Sequence, residues 1–357
     1  MTLRIIQWCT GNVGRETLRA VLDHPDLELV GVHAHGDDKE GVDAGVLLGG
    51  APVGVKASRD EAALLALGAD CVCYGPRFPD LDELCRILAS GANVATTAGF
   101  LTGQALGEGA ALRIEAACRE GQSSIHGTGM NPGFANLLAL IASAGCSRVD
   151  RVRVLESVDA SGYASEETQR SVGFGHPITH PDLPGMVERG SLVFRDALHA
   201  MADAMGVVLD DARCEAEFAV ATADHDLGFM KIDEGCVAGV AASWHGLVDG
   251  ESRIELRVQW IMGSQMEPAW ELQHGYVVDI EGMPNVRAKL QIFPPRDFEA
   301  KSAVDFMRLG MIITGLPSVH AIPAVCAAPP GILKLGDLPI RAASGSLARA
   351  ASGSLAR

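Results

Sequence analysis

The sequence is poor in positive charge, in aromatic side chains and in long apolar runs. Its 357 residues contain 29 Lys and Arg against 45 Asp and Glu, a formal net charge of −16. A chain of this charge repels phosphate backbones and anionic lipids, so we expect neither nucleic-acid nor membrane partners. No apolar segment reaches the roughly 18 residues that span a bilayer, and no secretory signal is visible. These absences indicate a cytoplasmic protein.

The sequence also lacks the cysteine spacing of a disulfide framework or a metal motif. Its nine cysteines are an odd number without a repeated interval. Cys71 and Cys73 fall on one face of a predicted strand, where packing is the favoured role. His176 and His180 stand in a proline-rich segment that cannot form the helix a ligand pair would need. We therefore predict no metal site.

The first 22 residues carry the strongest pattern. The apolar run from Leu3 to Trp8 predicts a strand, followed by a glycine-containing turn and a helical pattern. In a dinucleotide-binding unit, Gly11 would let the backbone approach a pyrophosphate and Gly14 would let the helix pack on the strand. Cys9 replaces the first glycine of that fingerprint, so a plain structural turn remains the alternative. The predicted phosphate-binding residues are Thr10, Gly11, Asn12, Val13 and Gly14.

The end of the second predicted strand is where the ribose of the cofactor would lie. A carboxylate there would bind the 2′-hydroxyl of NAD, whereas this chain has His35 and Lys39, which can accept a 2′-phosphate. Asp37 and Asp38 oppose that preference. The cofactor is therefore predicted to be NADP or NAD, with NADP slightly favoured over NAD and a polar surface turn as the alternative.

Strands and helices alternate up to about residue 130, which predicts a doubly wound parallel sheet. One short strand is expected at Val53 to Val55. Ligands of such sheets bind at the carboxyl ends of the strands. The predicted contacts to the nicotinamide half of the cofactor are Gly75, Pro76, Thr97 and Ala98. Asn131, in the glycine-rich loop from His126 to Gly133, offers a donor and an acceptor beside the reactive ring.

Beyond Arg148 the pattern changes to alternating strands and predicts a second, α+β domain with an antiparallel or mixed sheet. Asp249 and Gly250 indicate a hairpin turn. A helix from Ala303 is expected to end at Thr314, ahead of the prolines. We expect a Rossmann domain over residues 1–130, completed by 315–340, a substrate and dimerisation domain over 131–314, and a flexible tail over 341–357 that contains AASGSLAR twice.

Four motifs occur in an order that resembles the dihydrodipicolinate-reductase-like family, which includes 2,4-diaminopentanoate dehydrogenase and the native NAD(P)-dependent amine dehydrogenases. They are Trp8-x-Thr-Gly-Asn-Val-Gly14, Asn93-Val-x-Thr-Thr97, Gly127-Thr-Gly-x-Asn-Pro-Gly-Phe134, and Ala321-Ile-Pro323 with Ala327-x-Pro-Pro-Gly331. The resemblance covers about residues 1–340. It implies a Rossmann domain, a mixed α/β substrate domain and a homodimer.

The resemblance also implies an oxidoreductase that converts a small ketone or aldehyde and ammonia into an amine, and the reverse. Thr314 matches a threonine of the family's pocket, and His320 replaces an asparagine before the Ile-Pro of the last motif. Both are predicted to contact the cofactor. The family's glutamate pair is Gly99-Phe100 here, so the catalytic candidates beside Asn131 are Asp159 and Tyr163. Glu108 is a less favoured candidate, because a carboxylate in the first turn of a helix more often stabilises the helix dipole. An ammonia-independent carbonyl or imine reductase and a non-catalytic dinucleotide-binding protein remain alternatives.

Overall fold

A computed structural model describes residues 2–300, 303–340 and 342–343. The repeated octapeptide of the predicted tail, apart from Ala342 and Ala343, lies outside these residues. The first part of the chain alternates strands with helices. Its elements are β1 (Leu3–Trp8), α1 (Asn12–Asp23), β2 (Leu27–His33), α2 (Ala44–Leu47), β3 (Ala57–Ser58), α3 (Glu61–Leu65), β4 (Cys71–Tyr74), α4 (Leu81–Ala89), β5 (Asn93–Thr96), α5 (Ala110–Gly121) and β6 (Ser124–Gly127).

The second part is richer in long strands. Its elements are α6 (Ala135–Ser143), β7 (Arg148–Asp159), α7 (Glu166–Ser171), α8 (Leu183–Gly190), α9 (Val193–Ala204), β8 (Asp211–Ala221), β9 (His225–Asp226), β10 (Lys231–Ile232), β11 (Val237–Val248), β12 (Glu251–Ile261), β13 (Met266–Glu267), β14 (Gly275–Met283) and β15 (Val286–Leu290). The chain then forms α10 (Ala303–Ala327) and β16 (Gly331–Leu333).

The first sheet is parallel throughout, in the order β16-β6-β5-β4-β1-β2-β3. This confirms the predicted doubly wound sheet. The strand expected at Val53 to Val55 is wrong, since the edge strand is β3. The carboxylate of Asp43 accepts hydrogen bonds of 2.8 Å from the N–H groups of Val53 and Gly54 and holds this segment in a loop.

The second sheet is mixed, in the order β13-β8-β11-β12-β7-β14-β15. Strands β12 and β7 run parallel, and the other neighbouring pairs are antiparallel. The predicted turn at Asp249 and Gly250 joins β11 to β12, with both residues at positive φ (+53° and +75°).

The two faces of the second sheet differ in chemistry. Along β7, Val152 and Val154 are almost fully buried in a core shared with α6 and α9. The alternate residues Arg151 and Arg153 form ion pairs with Glu255 on the opposite face. Because side chains alternate along a strand, the residues of β7 with even numbers from Val152 onward share the face that lies toward the core.

Helix α10 runs on through Pro317 and Pro323 to Ala327, so the helix end predicted at Thr314 is wrong. Burial explains the difference, since Val319, Ile322 and Val325 pack into the first domain and stabilise the turns beyond the prolines. Among the described residues, the segment Asp305–Ala327 is long and apolar enough to cross a membrane by length and composition alone. Core helices of globular domains meet the same criterion, and 44% of this window is buried inside the fold.

Candidate functional site

A cleft of about 320 Å³ opens at the carboxyl ends of β1, β2 and β4. Ligands of doubly wound sheets bind at this edge. The cleft brings together five of the predicted cofactor residues, Thr10, Gly11, His35, Gly75 and Pro76, with Cys9, Gly36, Lys39 and Arg77. Arg77 was missed by the sequence reasoning, although it directly follows Gly75-Pro76.

The amino terminus of α1 borders this cleft and has free hydrogen-bond donors. Gly11 is its N-cap, and no side chain caps the helix. The first bond of the helix joins the N–H of Arg15 to the carbonyl of Gly11 at 2.9 Å. The N–H groups of Asn12, Val13 and Gly14 precede that bond and have no acceptor within the helix. Together with the helix dipole, they form a site for an anion such as a phosphate.

Glycine is required at position 14 but not sterically at position 11. A Cβ atom on Gly14 would lie 2.4 Å from the carbonyl oxygen of Cys9, which is far inside contact distance. A Cβ on Gly11 would meet nothing within 4 Å. Gly14 therefore allows α1 to pack on the turn, while Gly11 leaves space beside the free N–H groups. Cys9 adopts a φ of +74°, the left-handed conformation that glycine adopts without strain.

The side chain of Cys9 connects the turn to His35. Burial raises the pKa of the Cys9 thiol to about 12, so it stays protonated at neutral pH. Its sulfur lies 3.2 Å from Nε2 of His35, which fits a thiol that donates to the imidazole. Sulfur and ring nitrogens of Cys9, His33 and His35 lie within 4.8 Å of one another, a possible ligand grouping that the sequence did not predict.

Thr97 and Ala98 follow β5 at the same edge of the sheet. The N–H of Ala98 donates to Oγ1 of Thr96 at 2.9 Å, and the N–H of Thr97 bonds to the carbonyl of Tyr74 at 3.4 Å. The next strand, β6, leads into the loop that carries Asn131. Thr314 of α10 lies beside this loop, since its Cγ2 is 3.9 Å from the position of a Cβ on Gly129.

Asn131 is held by Glu156 of the second sheet, which Trp260 of the same sheet holds in turn. Its Nδ2 donates to Oε2 of Glu156 at 2.9 Å, and Nε1 of Trp260 donates to Oε1 of the same carboxylate at 2.8 Å. Oδ1 of Asn131 is buried without a hydrogen-bond partner. The sequence reasoning missed Glu156. The sequence did contain a signal for it, because Glu156 follows Val152 and Val154 at the same two-residue spacing and so falls on the apolar face of the predicted strand.

The structure places the other predicted residues differently. Asp159 is exposed, and its carboxylate accepts from the N–H of Ser161 at 2.8 Å. Burial raises the pKa of Tyr163, and the positive charge of Arg77 opposes the rise. His320 does not reach the cleft. Gly315 of α10 packs on Thr17 of α1, and His320 lies further along α10. Burial lowers the pKa of His320, and so does the nearby His24, which follows the C-terminal end of α1.

Comparisons with known proteins agree with this architecture. The family model of the 2,4-diaminopentanoate dehydrogenase C-terminal domain matches residues 134–352. An amine dehydrogenase of Streptomyces virginiae is 30% identical over 96% of this chain and 98% of that protein. The chain belongs to the family of the amine dehydrogenases and 2,4-diaminopentanoate dehydrogenases. The 2,4-diaminopentanoate dehydrogenase of Acetoanaerobium sticklandii is 31% identical over 64% of this chain and 61% of that protein.

The solved structures support the same fold. The amine dehydrogenase from Mycobacterium smegmatis has a TM-score of 0.74 at 21% identity and covers 96% of this chain and 97% of its own. As a member of this family, the chain is an NAD(P)-dependent oxidoreductase of the amine dehydrogenase type that acts on CH–NH₂ groups. These findings confirm the predicted family, fold class and enzyme type.

Proposed function

We propose that this amine dehydrogenase uses NADP(H) to convert a small, largely apolar ketone or aldehyde and ammonia into the amine, and catalyses the reverse deamination. One observation carries the proposal. The uncapped start of α1 and the polar cluster around Asn131 both lie at the carboxyl ends of the strands of the first sheet. The first can hold a dinucleotide, and the second can bind the nitrogen of a substrate.

The residues of the cleft fit a nicotinamide dinucleotide. The N–H groups of Asn12, Val13 and Gly14 suit its pyrophosphate, and the open space at Gly11 admits it. When bound, the cofactor supplies or accepts the hydride. Asn131 provides an acceptor for a substrate N–H through Oδ1 and thereby orients the reacting carbon.

The preference for NADP rests on the charges around the cleft. His35, Lys39 and Arg77 line it, and each can donate to a 2′-phosphate. The opposing carboxylate of Asp37 is ion-paired with Arg59. This pairing weakens the argument from the sequence that the two aspartates repel a phosphate.

A turnover assay tests the reaction. NADPH and NADH oxidation is followed with a panel of small ketones and aldehydes, with and without ammonium. Consumption that requires ammonium supports amine formation. Consumption without ammonium supports the alternative carbonyl or imine reductase, and tight cofactor binding without turnover supports a non-catalytic binder.

Titrations of both cofactors test the preference. His35→Ala and Lys39→Ala are expected to weaken NADP(H) about tenfold, roughly 1.4 kcal/mol, and to leave NAD(H) binding nearly unchanged. Lys231→Ala, on the surface of the second domain, is the control. Unchanged NADP(H) affinity in His35→Ala would show that His35 does not bind the 2′-phosphate.

We also propose that the enzyme is a cytoplasmic homodimer whose partners are small amine and carbonyl compounds. The charge of −16 supports the absence of nucleic-acid and membrane partners. The ion-paired face of the second sheet, around Arg151, Arg153 and Glu255, is a suitable contact for a second copy. Light scattering after size exclusion tests the dimer, and a monomeric mass would contradict it.

A further inference from the structure

Glu156 is an acidic side chain on the core-facing side of β7. It continues the row of Val152 and Val154, which are almost fully buried. Directly opposite on β14 stands Tyr276, whose pKa is raised by burial and by the charge of Glu156. Burial also raises the pKa of Glu156 itself. A charged carboxylate at such a position is costly unless it is hydrogen-bonded or paired with a cation.

Both carboxylate oxygens of Glu156 are bound by neutral donors. Nδ2 of Asn131 and Nε1 of Trp260 each donate to one oxygen. In the part of the chain that the structure describes, no Lys, Arg or His forms an ion pair with Glu156. A half-buried carboxylate with neutral donors but no cation beside it favours a cationic ligand, and the neighbouring rings of Trp260 and Tyr276 add to that preference.

Glu156 lies near the carboxyl ends of the strands of the first sheet, where the cofactor would bind. Asn131, its partner, belongs to the loop that follows β6 and that Thr314 approaches. Strand β6 is separated from β1 by β5 and β4 in the first sheet, which is a distance of about 14 Å at the usual strand spacing. Glu156 therefore faces the end of the site away from His35 and Lys39, where the nitrogen of a substrate would meet Oδ1 of Asn131.

We infer that Glu156 is the proton donor and counter-ion for the substrate nitrogen, an inference that rests on the proposed amine-forming reaction. Ammonia adds to the carbonyl carbon and gives a neutral carbinolamine. The carboxylic acid of Glu156 protonates the hydroxyl, the C–O bond breaks, and water leaves. The nitrogen lone pair forms the C=N bond, so the products are an iminium cation and the carboxylate of Glu156. After hydride reduction gives the neutral amine, a proton from solvent restores the acid.

The geometry favours Glu156 over Asp159 in this role. The two residues are three positions apart on β7, so their side chains leave opposite faces of the strand. Asp159 is exposed and bonded to the N–H of Ser161. Only the carboxylate of Glu156 shares the cluster with Asn131.

The test compares Glu156→Gln with Glu251→Gln, a control at an exposed ion pair on β12. Proton transfer by a placed acid contributes about 10²- to 10⁴-fold. We expect Glu156→Gln to lower kcat for ammonium-dependent reduction at least about 100-fold, while the Kd for NADPH stays near the control value. Glu156→Asp, which keeps an acid, is expected to regain part of the rate and to keep a pH-dependent limb that Glu156→Gln loses.

Two results separate this inference from the proposed function. If the wild type aminates ketones and Glu156→Gln retains its kcat within about threefold, Glu156 is not the proton donor and the function stands. If the wild type shows no ammonium-dependent turnover, the function fails, and binding of cyclohexylammonium decides whether Glu156 is a cation site. Affinity that falls in Glu156→Gln but not in Glu251→Gln supports the cation site, and equal affinity in all three proteins overturns it.

Discussion

The two domains build their parts of the site in different ways. The first domain uses its backbone, through the free N–H groups of α1 and the glycine that lets the helix approach the turn. The second domain uses side chains, through Glu156 and Trp260 on separate strands. A backbone site depends on a few consecutive residues, whereas a side-chain site depends on how distant strands pair.

Gly14→Ala is the strongest test of the backbone site. The new Cβ would lie 2.4 Å from the carbonyl oxygen of Cys9, so α1 must move away from the turn. We expect a loss of about 2–3 kcal/mol in the free energy of unfolding and a cofactor affinity at least about tenfold weaker. Urea unfolding and cofactor titration measure the two effects.

Gly11→Ala is the matched companion. Its Cβ meets nothing within 4 Å, so the protein should lose about 0.5–1 kcal/mol at most, the cost of a poorer N-cap. Cofactor affinity should still fall, since the methyl group occupies the approach to the N–H groups. Equal behaviour of the two variants would contradict the distinction between packing and binding.

Asp196→Ala tests the contact between the two domains, here called the joint, at which Asp196 of the second domain binds Thr102 of the first. Asp196 of α9 is 2% exposed and accepts from the N–H of Thr102 at 3.0 Å and from its hydroxyl. Removal leaves buried donors without a partner, which costs about 2–3 kcal/mol. Asp203→Ala removes only an exposed ion pair with Lys334 and should cost about 0.5 kcal/mol. Chemical denaturation compares the two, and similar losses would show that the joint is not important for stability.

The pH dependence of stability tests the burial of Glu156. Because burial raises its pKa, the folded protein binds this proton more tightly than the unfolded chain. The free energy of unfolding should therefore fall as the pH rises from the ordinary glutamate pKa through the folded pKa. Glu156→Gln should lack this fall, whereas Glu251→Gln should keep it. Identical slopes in urea unfolding across pH would mean that Glu156 titrates normally.

Glycines away from the site should have the smallest effects. Gly250 has a φ of +75° in the β11–β12 turn, so Gly250→Ala should cost about 1 kcal/mol. Gly310→Ala, in α10 with open space around it, should instead stabilise by about 0.5–1 kcal/mol. Thermal unfolding measures both, and turnover should not change in Gly250→Ala. A loss of activity in Gly250→Ala would show that the β11–β12 turn affects the site.

The same contrast explains what the sequence could predict. The turn at Gly11 and Gly14 has local requirements, so its spacing indicated both the fold and the cleft. Alternation along β7 predicted a strand, but the pairing of Trp260 and Glu156 arises from the parallel neighbours β7 and β12, which are about 100 residues apart. No local pattern predicts that contact. The helix end predicted at Thr314 was wrong because burial of Val319 and Ile322 outweighs the two prolines of α10.

Helix α10 and β16 have a consequence for biosynthesis. Strand β16 pairs with β6 at the edge of the first sheet, and Ser124 donates to the carbonyl of Val325 at 2.7 Å. A ribosome that has finished the first 130 codons has thus made a Rossmann unit whose edge strand β16 and whose helix α10 are still untranslated. The nascent unit must wait about 200 residues for its closing segment, and during this interval the edge of β6 is unpaired and open to association with other chains.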